Sequence, residues 1–514
     1  MRRTGALALI TALTAGMFMT GQYVRGAEAA PALGIDLDTA TIPQLQERMA
    51  EGSLTSSELT AAYLHRIRTV DPRINSVLHT NPEAVAEAEA SDARHRAGQV
   101  LGPLDGIPVL LKDNVNTRDM PTTAGSLALA GAPPDTDAEL VTRLRDGGAV
   151  ILGKTNLSEW ANFRAETPTS GWSAVGGQTR NPYVLDRNPC GSSAGSGAAL
   201  AASLAQVAIG TETDGSIVCP AGINGVVGHK PSLGLVSGAG VVPISVEQDT
   251  AGPMARNVVD AALTLAVLQG SEPVVPRADG LAGKRIGLWR LPDLGPEVDA
   301  LMSSTAAKFR AAGAEVVEVV PPYQDRLGEL EFPALLSEFH RDIDAYLATR
   351  GGPRDLAELI EFNRRTPEEQ TCFAGQELFE QALTAPPTTD PDYRAMRAEL
   401  TDLAKRSIDE TMAEHRLDAI ASPTNPPAWT TDCARGDDDV IPSSTPAAVA
   451  GYPSISVPAG FVGELPVGLL LMAGHRQDPE LLSLAASVER ELDAWRAPKF
   501  LPSLPPSPED RDFG

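Results

Sequence analysis

The chain is short of cations. It carries seven lysines beside 35 arginines, and these 42 basic residues face 67 acidic ones for a formal charge of -25 at pH 7. An acidic balance of that size argues against nucleic acid and anionic membrane surfaces as partners, because both are held by basic patches. It selects no substrate. The seven histidines (His65, His79, His95, His229, His340, His415 and His475) fall in no local catalytic motif. No transmembrane helix is read: the apolar run from Ala6 to Met19 counts 14 residues, against roughly 20 for a membrane span. There is no internal repeat, and the Gly-rich loop 191–195 is not followed by Lys-Ser/Thr as a phosphate-binding loop requires. Because lysine is scarce, one at the end of an apolar strand carries weight, and Lys112 stands there.

At 514 residues the chain can bury a sizeable core. Its N-terminus places Arg2-Arg3 before the apolar run and the small-residue site Ala27-Glu28-Ala29 after it. That is the layout of a secretory signal peptide over residues 1–29. Cleavage is expected after Ala29, since cutting after Ala30 would put Pro31 at the new terminus. The expectation is a secreted protein, extracellular or in the cell envelope, with the general and twin-arginine export routes both open. Loss of residues 1–29 removes three arginines and one glutamate and takes the formal charge from -25 to -27. Four cysteines remain, and in an exported protein four allow three full disulfide pairings. Cys372 with Cys433 is the favoured pair. For Cys190 and Cys219 a bridge and two buried free thiols are both open readings.

From Thr41 to Val70 apolar residues recur at helical spacing with a break at Gly52, which reads as a helical hairpin with Thr55 and Ser56 as caps of its second helix. Between Gly106 and Gly228 the β-rich runs IPVLLK, AVILGKT and QVAIGT alternate with helical stretches, the pattern of an α/β fold with crossover helices. The runs are apolar throughout, so both faces of the sheet are expected to be buried. The pattern returns in RIGLWR, AEVVEVV, AIASPT, SISVPAG and PVGLLLMA. One core over residues 30–500, interrupted by a helical, charged insertion over 323–414, explains this better than two domains. The insertion reads either as the rim of a cleft or as a solvated helical layer. The Pro-rich, charged segment 501–514 reads as a disordered tail.

The most informative stretch lies between Pro189 and Gly228. It holds two serine-glycine clusters, Gly191-Ser192-Ser193 and Asp214-Gly215-Ser216, separated by an Ala-rich helix and a short strand. Glycine beside serine in a loop lets the backbone approach a ligand closely. The wording SGWSAVGGQTRNPYVLDRNPCGSS, then GTETDGSIVCPAGINGVVG, resembles the signature of the amidase signature family, and within it the peptide amidase branch. GIPVLLKDN (106–114), TTAGS (122–126), GKTNLSEW (153–160) and GYPSISVPAGFVGELPVGLLL (451–471) are similar to further family segments. Most of the mature chain is covered. The resemblance implies a single-domain fold with a central mixed β-sheet sandwiched between helices, a Ser-cisSer-Lys triad, and amide hydrolysis with no metal and no organic cofactor.

A serine hydroxyl attacks an amide carbonyl only if a base takes its proton, and the tetrahedral intermediate needs donors around its oxyanion. By resemblance Ser216 is the nucleophile, and the N–H groups of Thr213, Asp214, Gly215 and Ser216 form the oxyanion hole. An Asp-Gly turn after a strand is ordinary by itself; the 24-residue spacing from Ser192 matches the family. The base is then Lys112. A lysine of pKa about 10.4 is no base at neutral pH, but burial lowers that value by several units. From the site alone, a lysine whose head reaches water or pairs with Asp113 is the open alternative. Ser192 completes the relay, as the family's serine preceded by a cis peptide bond. Ser193 is expected to support the loop, and Asp214 to orient backbone or Ser192.

The chain departs from the wider family at Cys190, Ala194, Asp214, Val218 and His229. Cys190, Asp214 and Val218 are shared with the peptide amidase branch and Ala194 is not; at His229 leucine is the more usual residue, and the histidine has no physical account at this level. Gly191-Ser192-Ser193-Ala194-Gly195 also fits the nucleophile elbow G-x-S-x-G, which would make Ser193 the nucleophile with His475 or His415 as base. The elbow needs an apolar strand immediately before it, and TRNPYVLDRNPC is not one. The expected function is hydrolysis of a primary carboxamide, foremost the C-terminal amide of a short peptide. The alternatives are aryl or aliphatic amides, a role in supplying ammonia within an amidotransferase, and an inactive amidase-fold binding protein. Oligomeric state is not legible.

Overall fold

A computed structural model describes residues 33–372, 375–437 and 443–504. The signal peptide read over 1–29 lies outside the described residues, as does the tail from 505 onward. Each β-rich run singled out above forms a strand. In chain order the strands are β1 (Val77–Thr80), β2 (Pro108–Lys112), β3 (Val150–Thr155), β4 (Val207–Glu212), β5 (Val227–Lys230) and β6 (Thr250–Ala255). The later ones are β7 (Arg285–Trp289), β8 (Glu315–Val319), β9 (Ala419–Pro423), β10 (Ser454–Val462) and β11 (Leu465–Met472). They join in one eleven-stranded sheet of order β1-β3-β2-β4-β6-β5-β10-β11-β9-β7-β8. It is mixed: β2 runs parallel to β3 and β4, whereas β4 and β6 are antiparallel. Every residue of β2, β3 and β4 is buried, as strands covered by helices on both faces must be. The result is a single-domain α/β fold, a large mixed sheet flanked by helices.

The hairpin at the start is present, with helices Ile42–Ala50 and Ser56–Val70. Thr55 caps the second by accepting from the Glu58 amide at 3.1 Å. Ser56 is no cap: it is the first helical residue, and its hydroxyl donates to the Gly106 carbonyl at 2.8 Å. Between β8 and β9 the described residues form helices and no strand, the longest being Gln324–Leu347 and Pro391–His415. An apolar cluster seats this layer on the body. Phe339 packs against Phe163 with ring centroids 5.0 Å apart and stacks on Phe379 at 5.3 Å, and Trp160 and Ile244 join them. Each buried ring contributes roughly 1.5–3 kcal/mol by its removal from water.

Both disulfides are formed, Cys190–Cys219 and Cys372–Cys433. This settles the question left open for Cys190 and Cys219 in favour of a bridge. Disorder does not begin at Leu501, whose carbonyl accepts from the Leu185 amide at 2.7 Å and whose amide donates to Tyr183 at 3.0 Å. Among the described residues no helix is long and apolar enough to cross a membrane.

Candidate active site

Because β2 and β4 are parallel neighbours, their carboxyl ends lie side by side, and each ends on a charged residue, Lys112 and Glu212. The helix Ala194–Ala201 starts against them, with Ser193 at its N-cap. The carboxyl edge of such a sheet, facing a helix N-terminus, is where α/β folds gather polar groups. Here it brings Lys112 against Ser192, and a backbone hydrogen bond joins the Ser216 turn to the neighbouring Ser193.

Lys112 and Ser192 are 0% exposed and Ser216 is 9% exposed. Lys112 Nζ sits 2.7 Å from Ser192 Oγ, 2.9 Å from Thr211 Oγ1 and 3.1 Å from the Thr211 carbonyl. A neutral amine has two N–H groups and one lone pair. Thr211 supplies acceptors for both N–H groups, which leaves the lone pair for the Ser192 hydroxyl. Burial pushes Lys112 down to about 7 against the opposing pull of the Asp249 and Glu212 carboxylates. The amine neither reaches water nor pairs with Asp113, whose carboxylate is taken by Lys154 at 3.1 Å. The Gly191–Ser192 peptide bond is cis, at the bond named from the sequence. Gly191 has no room for a side chain, since a Cβ there would run into Ser158 Oγ.

The Ser193 hydroxyl is committed to the backbone, donating to the Thr211 carbonyl at 3.1 Å. It holds its own loop to β4, as expected, and its fixed partner is a backbone group rather than a histidine, which removes the elbow reading. The Ser193 amide donates to the Ser216 carbonyl at 3.1 Å, so the two serine loops are joined directly. In the turn after β4, Gly215 adopts φ 76°, a left-handed conformation that favours glycine. Among the described residues the amides of Asp214, Gly215 and Ser216 have no acceptor in the protein. Buried N–H groups seldom stay unpaired, and three in one turn suit an oxyanion.

Asp214 corrects one expectation. Its carboxylate orients neither Ser192 nor its own turn; it accepts from Ser444 Oγ at 2.5 Å and Thr445 Oγ1 at 2.6 Å, at the start of the helix Thr445–Ala450. Burial raises Asp214 to about 6, and the same cause, with the Asp214 charge beside it, raises Glu331 well above the usual carboxylate range. Glu331 comes from the helix Gln324–Leu347, so the inserted helical layer reaches the serine turn.

Several residues of the site have no signal in the sequence. Thr211 holds Lys112, and Asn114 Nδ2 donates to Thr211 Oγ1 at 2.9 Å. Asp249 accepts from Thr213 Oγ1 at 2.5 Å and from the amides of Ile244 and Ser245; burial raises it to about 7. Glu212 Oε2 accepts from the amides of Ile217 and Val218 at 2.8 and 3.0 Å, which fixes the chain just after Ser216. His229, unexplained from the sequence, bonds the Ser454 carbonyl at 3.1 Å and stands 3.4 Å from Asp478. Burial pushes Asp478 up, but His229 and Ser232 outweigh it and hold that carboxyl at about 2. Among the described residues no group of three acidic, histidine or cysteine side chains could hold a metal.

Known proteins agree with this reading of the chain. The family model described as Amidase matches residues 58–482. The X-ray structure of the native peptide amidase from Stenotrophomonas maltophilia is 48% identical with a TM-score of 0.85, covering 90% of this chain and 99% of that one. A probable amidase of Arabidopsis thaliana is 37% identical over 497 residues, 90% of this chain and 92% of its own length. A component of the glutamyl-tRNA(Gln) amidotransferase of Salinispora arenicola is 36% identical over 503 residues, 90% of this chain and 99% of its own length. With a family model spanning most of its length and relatives aligned over 90% of it, the chain belongs to the amidase signature family and is an amidase.

Proposed function

We propose that this amidase hydrolyses a primary carboxamide to the acid and ammonia, with the C-terminal amide of peptides as its substrate. The observation that carries the chemistry is the 2.7 Å approach of a buried lysine amine, lowered to about 7, to the Ser192 hydroxyl. Neutral Lys112 takes the Ser192 proton as Ser192 takes that of Ser216, and Ser216 Oγ bonds to the carbonyl carbon. The oxyanion is held by the free amides of the turn around Asp214, Gly215 and Ser216. The proton returns through Ser192 to the nitrogen, the C–N bond breaks, and ammonia leaves an acyl-enzyme on Ser216. Water, deprotonated by the same route, releases the acid and restores the serine. Every proton moves between Lys112, Ser192 and Ser216, so the cycle asks for no cofactor.

The 48% identity with a peptide amidase supports the peptide substrate over aryl or aliphatic amides. The amidotransferase role is disfavoured by a charge of -25, which repels tRNA. We also propose export after cleavage near Ala29: the N-terminal layout fits it, and pairing of all four cysteines suits an oxidising compartment. The test is ammonia release from a short peptide amide, beside Ser216→Ala and matched peptides offering only an anilide or internal bonds. Release from the peptide amide alone supports the reading. Turnover only of the anilide or of a simple amide keeps the triad and removes the substrate. No turnover, with no labelling of Ser216 by a fluorophosphonate, identifies an inactive binding protein.

A further inference from the structure

A cavity of about 460 Å³ opens beside the triad, inside the range of about 300–1,000 Å³ usual for small-ligand sites. Thr211, which holds Lys112, and Thr213, in the serine turn, both form part of its wall. Most of the rest is apolar, with Val236, Val242, Ile244 and Tyr346 among the lining residues. Two features give it chemical direction. Asn114 lines it and is 3% exposed, and its Oδ1 is buried without any hydrogen-bond partner. An orphan acceptor of that kind is costly unless a ligand N–H meets it. Among the described residues the wall contains no lysine, arginine or histidine, while Asp249 and Asp342 stand in it. Asp342 is already engaged by Arg341 at 2.6 Å, and Asp249 by three donors.

In carboxamide hydrolysis only ammonia departs, so every other part of the substrate lies on the acyl side of the reacting carbon. We infer that this cavity receives the side chain of the residue that bears the carboxamide, that it takes aliphatic and aromatic side chains, and that Asn114 Oδ1 accepts an N–H of the same residue. Acidic side chains are rejected, since the wall offers them two carboxylates and no cation. The inference rests on the peptide amide reading, and it assigns specificity to a wall built jointly by residues 233–251 and the helix Gln324–Leu347.

Ala345 and Val246 both line the cavity yet are exposed, Val246 at 61%. They mark its mouth, and a bulky residue at either can narrow it without entering the core. The experiment measures kcat/KM for dipeptide amides ending in Gly, Leu, Phe or Glu, and for acetamide against 4-methylpentanamide. The enzymes are the unaltered one, Ala345→Trp, Val246→Trp and the control Ala348→Trp. Leu and Phe amides should exceed the Gly amide by about tenfold or more, the usual worth of a filled apolar pocket, and the Glu amide should fall below it. Both mouth variants should cut Leu and Phe turnover about tenfold while Gly amide and acetamide stay within about threefold. The control should change neither. A Gly amide equal to the Leu and Phe amides, or mouth variants that lower all substrates alike, overturns the inference. If peptide amides fail and simple amides react, the peptide reading falls alone, and the ratio of 4-methylpentanamide to acetamide still decides the cavity.

Discussion

The Lys112 amine lies 2.7 Å from the Ser192 hydroxyl, and both residues are wholly shielded from solvent. Burial lowers Lys112 to about 7, so the amine is charged below that pH and free to accept a proton above it. The rate of acylation should therefore rise through pH 7 and level off in the alkaline range, read as the pH profile of kcat/KM. An optimum confined to acid would contradict a lysine base. Lys112→Ala should lower acylation by about 10²- to 10⁴-fold, and chelators should leave the rate unchanged.

Asp249 raises the Lys112 value by its charge, and its own value is lifted to about 7 by burial. The acid limb of the profile thus belongs to the pair. Asp249→Asn removes the anion that favours protonated lysine. The limb should then move to lower pH by roughly half a unit to one unit. Some loss of kcat is expected as well, because Thr213 loses a carboxylate acceptor. A lower kcat with an unmoved limb would reduce Asp249 to a structural support of the turn.

Much of this is legible in the sequence, for reasons that individual residues make plain. β2, β3 and β4 are apolar along their whole length because both faces are covered, so they stand out as runs. Lys112, Ser192 and Ser216 are found through wording and spacing that resemble one family. Thr211, Asn114 and Asp249 are invisible there, because a threonine, an asparagine and an aspartate acquire their meaning only when β4 pairs with β6 and the Asp249 charge comes to act on Lys112. Asp214 departs from its expected role because its partners, Ser444 and Thr445, come from a distant helix start, and local sequence offers only its own turn. The expectation for Leu501 fails because composition registers prolines and charge but not a backbone pairing to Val184.

The two disulfides should separate stability from activity. They close segments with sequence separations of 29 and 61, for which the chain-entropy account gives about 4 kcal/mol each. Cys190→Ala/Cys219→Ala and Cys372→Ala/Cys433→Ala should both lower Tm, by roughly 4 °C for a chain of this size. Only the first should also lower kcat/KM, by about tenfold or more, because Cys190 precedes Ser192 by two residues and Cys219 follows Ser216 by three. Equal activity in the two double variants would show that the first bridge does not hold the serine loops in register.

Glu331 and Asp214 offer a different kind of test, since both carboxyls are raised, mainly by burial and further by neighbouring carboxylates. A carboxyl raised in the folded state binds its proton more tightly there than in the unfolded chain. Its contribution to stability is complete below the unfolded value and is lost as pH rises through the folded one. For Asp214 that window runs from about 4 to about 6. Glu331→Gln keeps the shape and an N–H donor toward Asp214 and removes the carboxyl that is raised well above its usual range, so that group's share of the loss should disappear. Thermal unfolding at pH 5 and pH 8 reads this directly. The unaltered enzyme should lose more Tm between those two pH values than the variant, by on the order of 1–3 °C. An identical loss in both would mean that Glu331 binds its proton no more tightly in the folded enzyme than in the unfolded chain.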